Sequence, residues 1–109
     1  MASDQGEVAL RAITSPRRRA ILRLVWNEEM SSRAIASHFE VTWPAISQNL
    51  RVLETAGLVR TRREGTTRLY RADHARLGPL KAVLTKMWEA DLDRLALLAE
   101  AEERKSRGR

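Results

Sequence analysis

Residues 41–50 read VTWPAISQNL, and the positions around them predict one helix. Thr42 can cap its start, and Pro44 falls in its first turn, where the missing N–H of proline costs nothing. Gly57 supplies a C-terminal stop, so we expect the helix to run to about Ala56. At about 100° per residue, one stripe of this helix is apolar and must face the core: Ile46, Leu50 and Leu53.

The opposite side of this helix carries groups that neither pack a core nor bear negative charge. It presents Gln48 and Arg51, with Ser47 at the margin, where a solvated helix would normally show Glu and Lys. Small side chains let a helix approach base edges closely, and the amide of Gln48 offers the donor and acceptor that fit adenine. The pattern therefore predicts a helix that enters the major groove of DNA.

A shorter helix precedes this one. Ser31 caps it, it ends around Glu40, and its inward residues are Ile35, Ala36 and Phe39. Two helices joined by a short turn, the second exposing small polar groups, form the helix-turn-helix pattern; we call the second one, residues 43–56, the recognition helix. Trp43 at its start has two interpretations of equal weight: it contacts the DNA backbone or a thymine methyl, or it packs against the preceding helix.

Two stretches rich in Leu, Val, Thr and Tyr follow, at residues 58–64 and 67–72, separated by Gly65-Thr66. They predict a two-stranded hairpin, and a hairpin directly after a recognition helix is a wing. Its arginines would lie along phosphates or enter a narrow minor groove; the alternative is that they only solubilise the hairpin. The candidate DNA contacts are, on the recognition helix, Trp43, Pro44, Ser47, Gln48, Asn49 and Arg51 and, on the wing, Arg60, Arg62, Arg63, Thr66 and Arg68.

Helices are also predicted on both sides of this region. Ser15-Pro16 opens a helix to Trp26, with Ala20, Ile21, Leu24 and Val25 on its inward face. Pro79 restarts a helix to roughly Ala99, whose apolar stripe is longer than so small a domain can cover alone. A second copy of the chain is the simplest partner. The expected dimer interface comprises Val8, Leu10, Ile13, Leu84, Met87, Trp88, Leu92 and Leu95.

The predicted fold is mainly α with a two-stranded β-hairpin wing. We expect residues 1–101 to form one winged helix-turn-helix domain for DNA binding and dimerisation, and residues 102–109 to be a disordered, charged tail. No apolar run approaches the roughly 20 residues that span a bilayer, so no membrane partner and a cytoplasmic location are expected.

Charge and composition favour a protein that binds a polyanion and argue against an enzyme. The net charge is +6 with a pI near 11.0, and arginine is concentrated in residues 11–23 and 58–72, which is typical of a polyanion partner. The alternative is a merely solvated basic surface. With no cysteine and only two histidines, disulfides and thiolate metal sites are excluded and no catalytic constellation is apparent. We therefore expect neither an enzyme nor a cofactor.

Three segments together resemble the ArsR/SmtB-type winged-helix repressors: SPRRRAIL at 15–22, SQNLRVLETAGLV at 47–59 and RREGTTRLY at 62–70. The resemblance implies a dimer that covers promoter DNA, with its first and last helices at the interface. Metal sensors of that family often carry Cys-x-Cys where this chain has Ser31 and Arg33, and the last helix here has no histidine. The resemblance is therefore to a metal-independent branch, in which Asn49 replaces a usual histidine.

Two function hypotheses follow. The first is a homodimeric, sequence-specific transcriptional regulator, a repressor and an autorepressor candidate, whose recognition helices enter successive major grooves of an inverted-repeat operator about 34–36 Å apart. The second is a winged-helix interaction module that docks an acidic partner protein instead of DNA. Met87 and Trp88 are expected to be plain core; the alternative is that a small apolar effector binds beside them.

Overall fold

The computed structural model describes the backbone of residues 2–107 and the side chains of residues 5–92 and of Arg94. The chain divides after Gly78 into two compact units. The elements run α1 (Ala2–Ala12), α2 (Pro16–Leu24), β1 (Met30–Ser31), α3 (Ser32–Ala36), α4 (Trp43–Thr55), β2 (Val59–Glu64), β3 (Thr67–Ala72), α5 (His74–Leu77) and α6 (Leu80–Arg107). This confirms the predicted mainly α fold with a hairpin wing.

Side-chain hydroxyls begin three of the helices. The N-cap residues Ser15, Ser31 and Thr42 have extended backbone geometry, and each accepts a hydrogen bond from the amide three residues on, at 3.1–3.3 Å. Such a cap satisfies one of the four free N–H groups at a helix start. The predicted starts are therefore confirmed. Two ends differ: α2 stops at Leu24 rather than Trp26, and α3 at Ala36 rather than about Glu40.

The core of the first unit agrees with the predicted helical periodicity in α4 and only in part in α2 and α3. Ile46, Leu50 and Leu53 of α4 are buried, which confirms the apolar stripe of the recognition helix. Ile35 of α3 is buried as well, whereas Ala36 and Phe39 keep partial exposure. In α2 the buried apolar residues are Ile21 and Leu22, with Val25 just beyond; Ala20 and Leu24, expected inside, are partly exposed.

The end of α4 turns the chain directly into the wing. Gly57 has φ +76°, its amide donates to Glu54 O at 2.9 Å, and the amide of Leu58 donates to Leu53 O at 3.0 Å. These two bonds make a Schellman motif, which needs the left-handed conformation at its C′ residue. Leu53 and Leu58, the two residues joined by the longer of these bonds in sequence, are both buried. Apolar side chains at these two positions are typical of the Schellman motif.

Two arginines of α2 donate hydrogen bonds to backbone carbonyls at the C-terminal end of α1. Arg18 Nε donates to Ala12 O at 2.6 Å, and Arg19 Nη1 donates to Ile13 O at 2.9 Å. The last carbonyls of a helix have no partner inside it, and cations are favoured at that end of the helix dipole. Arg19 is only 9% exposed. The arginine block at residues 11–23 is therefore in part structural, where the sequence suggested a polyanion-facing surface.

The sheet has three antiparallel strands in the order β1-β3-β2, one more than predicted. β2 and β3 pair from Val59 opposite Ala72 to Glu64 opposite Thr67. Successive residues of a strand alternate between faces, and Val59 and Ala72 are buried. One face of the sheet, the inner face, therefore carries these two residues together with Thr61, Arg63, Arg68 and Tyr70. The outer face carries Arg60, Arg62, Glu64, Thr67, Leu69 and Arg71.

The second unit contains α6. This helix continues to Arg107, about eight residues past the predicted end, so the backbone of residues 102–107 is helical where a disordered tail was expected. Residues 108–109 lie outside the described part. Leu84 and Trp88 are buried, whereas Val83 and Leu92 are exposed. No helix among the described residues is long and apolar enough to cross a bilayer.

Two glycine substitutions should change stability in opposite directions. Gly57→Ala should destabilise the fold by about 1–2 kcal/mol, because a Cβ is disfavoured at positive φ and would also displace the guanidinium of Arg76. Gly6→Ala should stabilise it by about 0.5–1 kcal/mol, because Gly6 lies within α1 with open space around its Cα. Urea denaturation at one protein concentration measures both. Equal effects would contradict the Schellman geometry.

Candidate nucleic-acid interface

The exposed side of α4 forms a shallow groove. It is lined by Trp43, Pro44, Ser47, Gln48 and Arg51, five of the six residues predicted for the major groove. Gln48 and Arg51 are exposed and Ser47 is half-buried. Among the described residues, neither the Gln48 amide nor the Arg51 guanidinium makes a hydrogen bond, so both keep their donors for a ligand.

Trp43 contacts the preceding helix. Its indole Nε1 donates to Ser32 Oγ at 2.9 Å, and the guanidinium carbon of Arg33 lies 4.4 Å from the ring centroid. Trp43 therefore packs against the preceding helix, the second of its two predicted environments. Because the side chain is still 43% exposed, Trp43 also forms one edge of the groove.

Asn49 differs from the other residues predicted on this face. Its Nδ2 donates to Ala45 O at 2.9 Å, within α4, and its Oδ1 accepts a long hydrogen bond of 3.5 Å from Arg18 Nη1. Asn49 is half-buried and does not line the groove. In this structure the Asn49 amide joins α4 to α2, and a contact between Asn49 and the major groove stays a prediction.

The alternation of the strands separates the wing arginines into two pairs. Arg63 and Arg68 lie opposite one another on the inner face, and Arg60 and Arg62 lie on the outer face. Arg68 Nη2 donates to Glu54 Oε1 of α4 at 2.9 Å, which ties the inner face to the recognition helix. All four arginines are exposed, as is Thr66 in the turn. The two pairs therefore point to opposite sides of the wing.

Arg62 is held by two carboxylates. Its Nε lies 2.7 Å from Glu29 Oε2, its Nη2 lies 2.8 Å from Glu29 Oε1, and Glu64 Oε2 is 3.1 Å from Nη2. The hydrogen bonds and positive charge of Arg62 lower the pKa of Glu29, and the Glu29 carboxylate raises the pKa of Arg62. Arg62 was predicted to contact phosphate, and here its charge is already neutralised.

The residues predicted for the dimer interface do not share one environment. Val8, Leu10 and Leu92 are exposed, and Met87 is partly exposed. Ile13, Leu84 and Trp88 are buried, and their assignment to an intermolecular surface stays a prediction. Leu95 lies outside the described side chains.

No trio of His, Cys, Asp or Glu side chains able to hold a metal occurs among the described residues. His74, one of the two histidines, contacts Trp26. Its Nε2 lies 2.6 Å from Trp26 O, and the two rings meet edge to face with their centroids 4.4 Å apart.

Comparisons with known proteins agree with this geometry. A model of the arsR family of bacterial regulatory proteins matches residues 15–61. The chain is 35% identical to HTH-type transcriptional regulator Rv2034 of Mycobacterium tuberculosis over 94 residues, 86% of this chain and 88% of that protein. It is 38% identical to transcriptional repressor SdpR of Bacillus subtilis over 55 residues, 50% of this chain and 61% of that protein.

Solved structures are similar as well. One is the homodimeric winged helix-turn-helix DNA-binding domain of Mb0332 from Mycobacterium bovis, which is 32% identical and superposes with a TM-score of 0.71, covering 81% of this chain and 82% of that one. The similarity therefore extends well beyond the helix-turn-helix.

The Glu29–Arg62 pair should make stability depend on acid pH. Because the folded pKa of Glu29 lies below its ordinary value of 4.5, the stabilisation is complete above that value and is lost as pH falls through the folded pKa. Denaturation curves of Glu29→Gln and wild type should therefore differ at pH 7 and converge at strongly acid pH. Glu28→Gln, which removes the same charge one residue earlier, is the control. A gap that persists unchanged in acid would contradict the ion pair.

Proposed function

The chain belongs to the ArsR family of bacterial regulatory proteins, and from this premise we propose that it is a homodimeric repressor of an inverted-repeat operator. Members of this family are DNA-binding transcriptional regulators rather than enzymes. Repression and dimerisation are each supported by one relative: a protein named as a transcriptional repressor and a winged-helix domain described as homodimeric.

The observation that carries the proposal is the chemistry of the α4 groove. Ser47 and Gln48 lie between Trp43 and Arg51, so the groove offers short polar groups at its centre and a cation at its edge. No acidic side chain lines it. A bidentate amide in such a groove can read an adenine edge, and Ser can bond to any base. We therefore assign base recognition to Gln48 and Ser47, with Pro44 and Trp43 shaping the entry.

Phosphate contacts are assigned by charge and face. Arg51 and Arg63 are exposed and form no ion pair within the described residues, so their charges are available to DNA. Arg68 lies on the same side of the wing but must exchange Glu54 for a phosphate. Thr66, at the tip of the wing, can form a hydrogen bond with the DNA backbone. Arg60 and Arg62 lie on the outer face, so we assign them to the electrostatic field around the wing rather than to direct contacts.

Dimerisation is proposed to use the exposed apolar residues of the first and last helices. Val8 and Leu10 of α1 and Val83 and Leu92 of α6 are large apolar side chains left in contact with water. A two-fold dimer would cover them and place two recognition helices about 34–36 Å apart, one helical turn of DNA. In this proposal residues 1–101 act together as the DNA-binding and dimerisation domain.

Two substitutions should separate base recognition from phosphate binding. Gln48→Ala should lose about 1–3 kcal/mol of discrimination at one base pair of each half-site. Arg63→Gln should weaken binding to all sequences alike and reduce the slope of log K against log salt by about one unit per protomer. Operators are first selected from a random DNA pool, and affinities are then measured by fluorescence anisotropy at several salt concentrations.

Arg60→Gln is the matched control, because it removes the same charge from the outer face. It should change affinity less than Arg63→Gln does. Recovery of no inverted repeat from the pool, or parallel losses for Gln48→Ala and Arg63→Gln on every sequence, would overturn the proposal. Binding that does not distinguish operator from scrambled DNA would favour an acidic protein partner.

The dimer interface can be tested on α6. Leu92 is 52% exposed in the single chain. Burial of a Leu side chain at the interface contributes about 1.5–3 kcal/mol per copy to the free energy of dimerisation, and replacement by Glu removes that contribution. Because a two-fold interface contains two copies, Leu92→Glu should raise the dimer dissociation constant at least a hundredfold. Ala90→Glu adds the same charge at an exposed position of the same helix and should have little effect. Sedimentation velocity measures both. A monomeric wild-type chain would refute the dimer.

A further inference from the structure

The outer face of the sheet carries a concave site that the proposed function does not use. It has a volume of about 410 Å³ and is lined by Glu29, Arg60, Thr61, Arg62 and Arg71. Three of these five residues are arginines, contributed by two neighbouring strands. Glu29 immediately precedes β1, so all three strands of the sheet contribute to the site or border it.

Only part of the positive charge in this site is compensated. Glu29 accepts three hydrogen bonds from Arg62, and both of its oxygens are used. Its charge is felt by Arg71 and Arg60 only at longer range, since neither forms an ion pair within the described residues. Glu29 is the carboxylate that lines the site, and Glu64 also binds Arg62 from the same face. Both carboxylates bind Arg62, so Arg60 and Arg71 are the two lining guanidinium groups that form no ion pair within the described residues.

The arrangement of the two remaining arginines is unfavourable without a ligand. Arg60 and Arg71 are direct cross-strand partners, and like charges at such positions destabilise a sheet. The Nε of Arg71 is in addition buried with no hydrogen-bond partner. A buried donor without an acceptor carries an unrecovered desolvation cost. An anion between the two guanidinium groups would relieve the repulsion between them.

We propose that this site binds the phosphate group of a small phosphorylated molecule. Guanidinium groups bind phosphate through two parallel N–H···O bonds, and a phosphate monoester with a second pKa near 6 brings close to two negative charges at pH 7, which matches the two uncompensated arginines. The volume leaves room for more than the phosphate itself.

The ligand is assigned to a small molecule rather than to the DNA backbone because of the face on which the site lies. The recognition helix is tied to the inner face of the sheet through Glu54 and Arg68. Arg60 and Arg71 lie on the other face, so a phosphate held between them is separated from the groove of α4 by the sheet itself.

Titration with phenyl phosphate at pH 7 tests the site. Backbone amide NMR of the full chain should show saturable shifts centred on residues 60 and 71, and phenol at the same concentration should produce none. Arg60→Gln and Arg71→Gln should each weaken binding by about tenfold, the loss of roughly one charge-assisted interaction. Glu29→Gln should strengthen it, because a competing carboxylate is removed.

Arg63→Gln is the matched control, since it removes the same charge from the inner face. It should change the affinity less than twofold. Because Arg60 is exposed, Arg60→Gln keeps the core intact, and Arg60→Lys keeps the charge while removing the planar fork. Losses as large in Arg63→Gln as in Arg60→Gln, or shifts that do not saturate, would overturn the proposal.

A second arm distinguishes the source of the phosphate. The titration is repeated in the presence of a saturating random-sequence DNA duplex at low salt. Simultaneous binding of duplex and phenyl phosphate supports a small-molecule site. Displacement of phenyl phosphate by the duplex would overturn that assignment in favour of backbone phosphate. Because the first titration contains no DNA, a failure of the DNA-binding proposal leaves its result unaffected.

Discussion

Burial of one apolar stripe on α4 determines the orientation of everything that can contact DNA. Ile46, Leu50 and Leu53 are almost inaccessible to solvent, and a helix can bury only one such stripe at a time. A rotation by one residue, about 100°, would expose apolar groups at a cost of several kcal/mol. The stripe therefore fixes Gln48 and Arg51 on the outside. The same helix ends in the Schellman turn at Gly57, so its orientation also determines where the wing begins.

The arginine count of the wing overstates the charge that DNA can use. Arg62 is bound by Glu29 and Glu64, and Arg68 is bound by Glu54. Surface ion pairs contribute little to folding stability, but a phosphate must displace their carboxylates before it can bind. The pairs therefore reduce the positive charge that is available for non-specific attraction to DNA. A regulator that must leave most of the chromosome unoccupied needs such a restraint, because phosphate contacts carry no sequence information.

Local sequence patterns predicted much of this structure. They did not predict contacts between residues that are far apart in the sequence. The caps at Ser15, Ser31 and Thr42 and both strands of the hairpin depend on neighbouring residues, so the sequence contained the necessary signals. The strand at residues 30–31 could not be predicted because two residues are too few to show a periodicity. Without that strand, the position of Glu29 beside the wing could not be predicted either. The pairing of Asn49 with Arg18 spans 31 positions, and no local pattern encodes it. The groove residues were predicted because they follow from helical spacing alone.

Trp43 gives the molecule an optical property as well as a structural one. Its indole is hydrogen-bonded to Ser32 and stacked under the guanidinium of Arg33, yet nearly half of its surface is open at the edge of the groove. Indole emission responds to changes in local polarity and to nearby charge. Any ligand that enters the groove must alter that environment, whereas Trp88 is shielded from solvent. The chain thus contains an intrinsic fluorophore at the groove, and occupancy can be followed without a label.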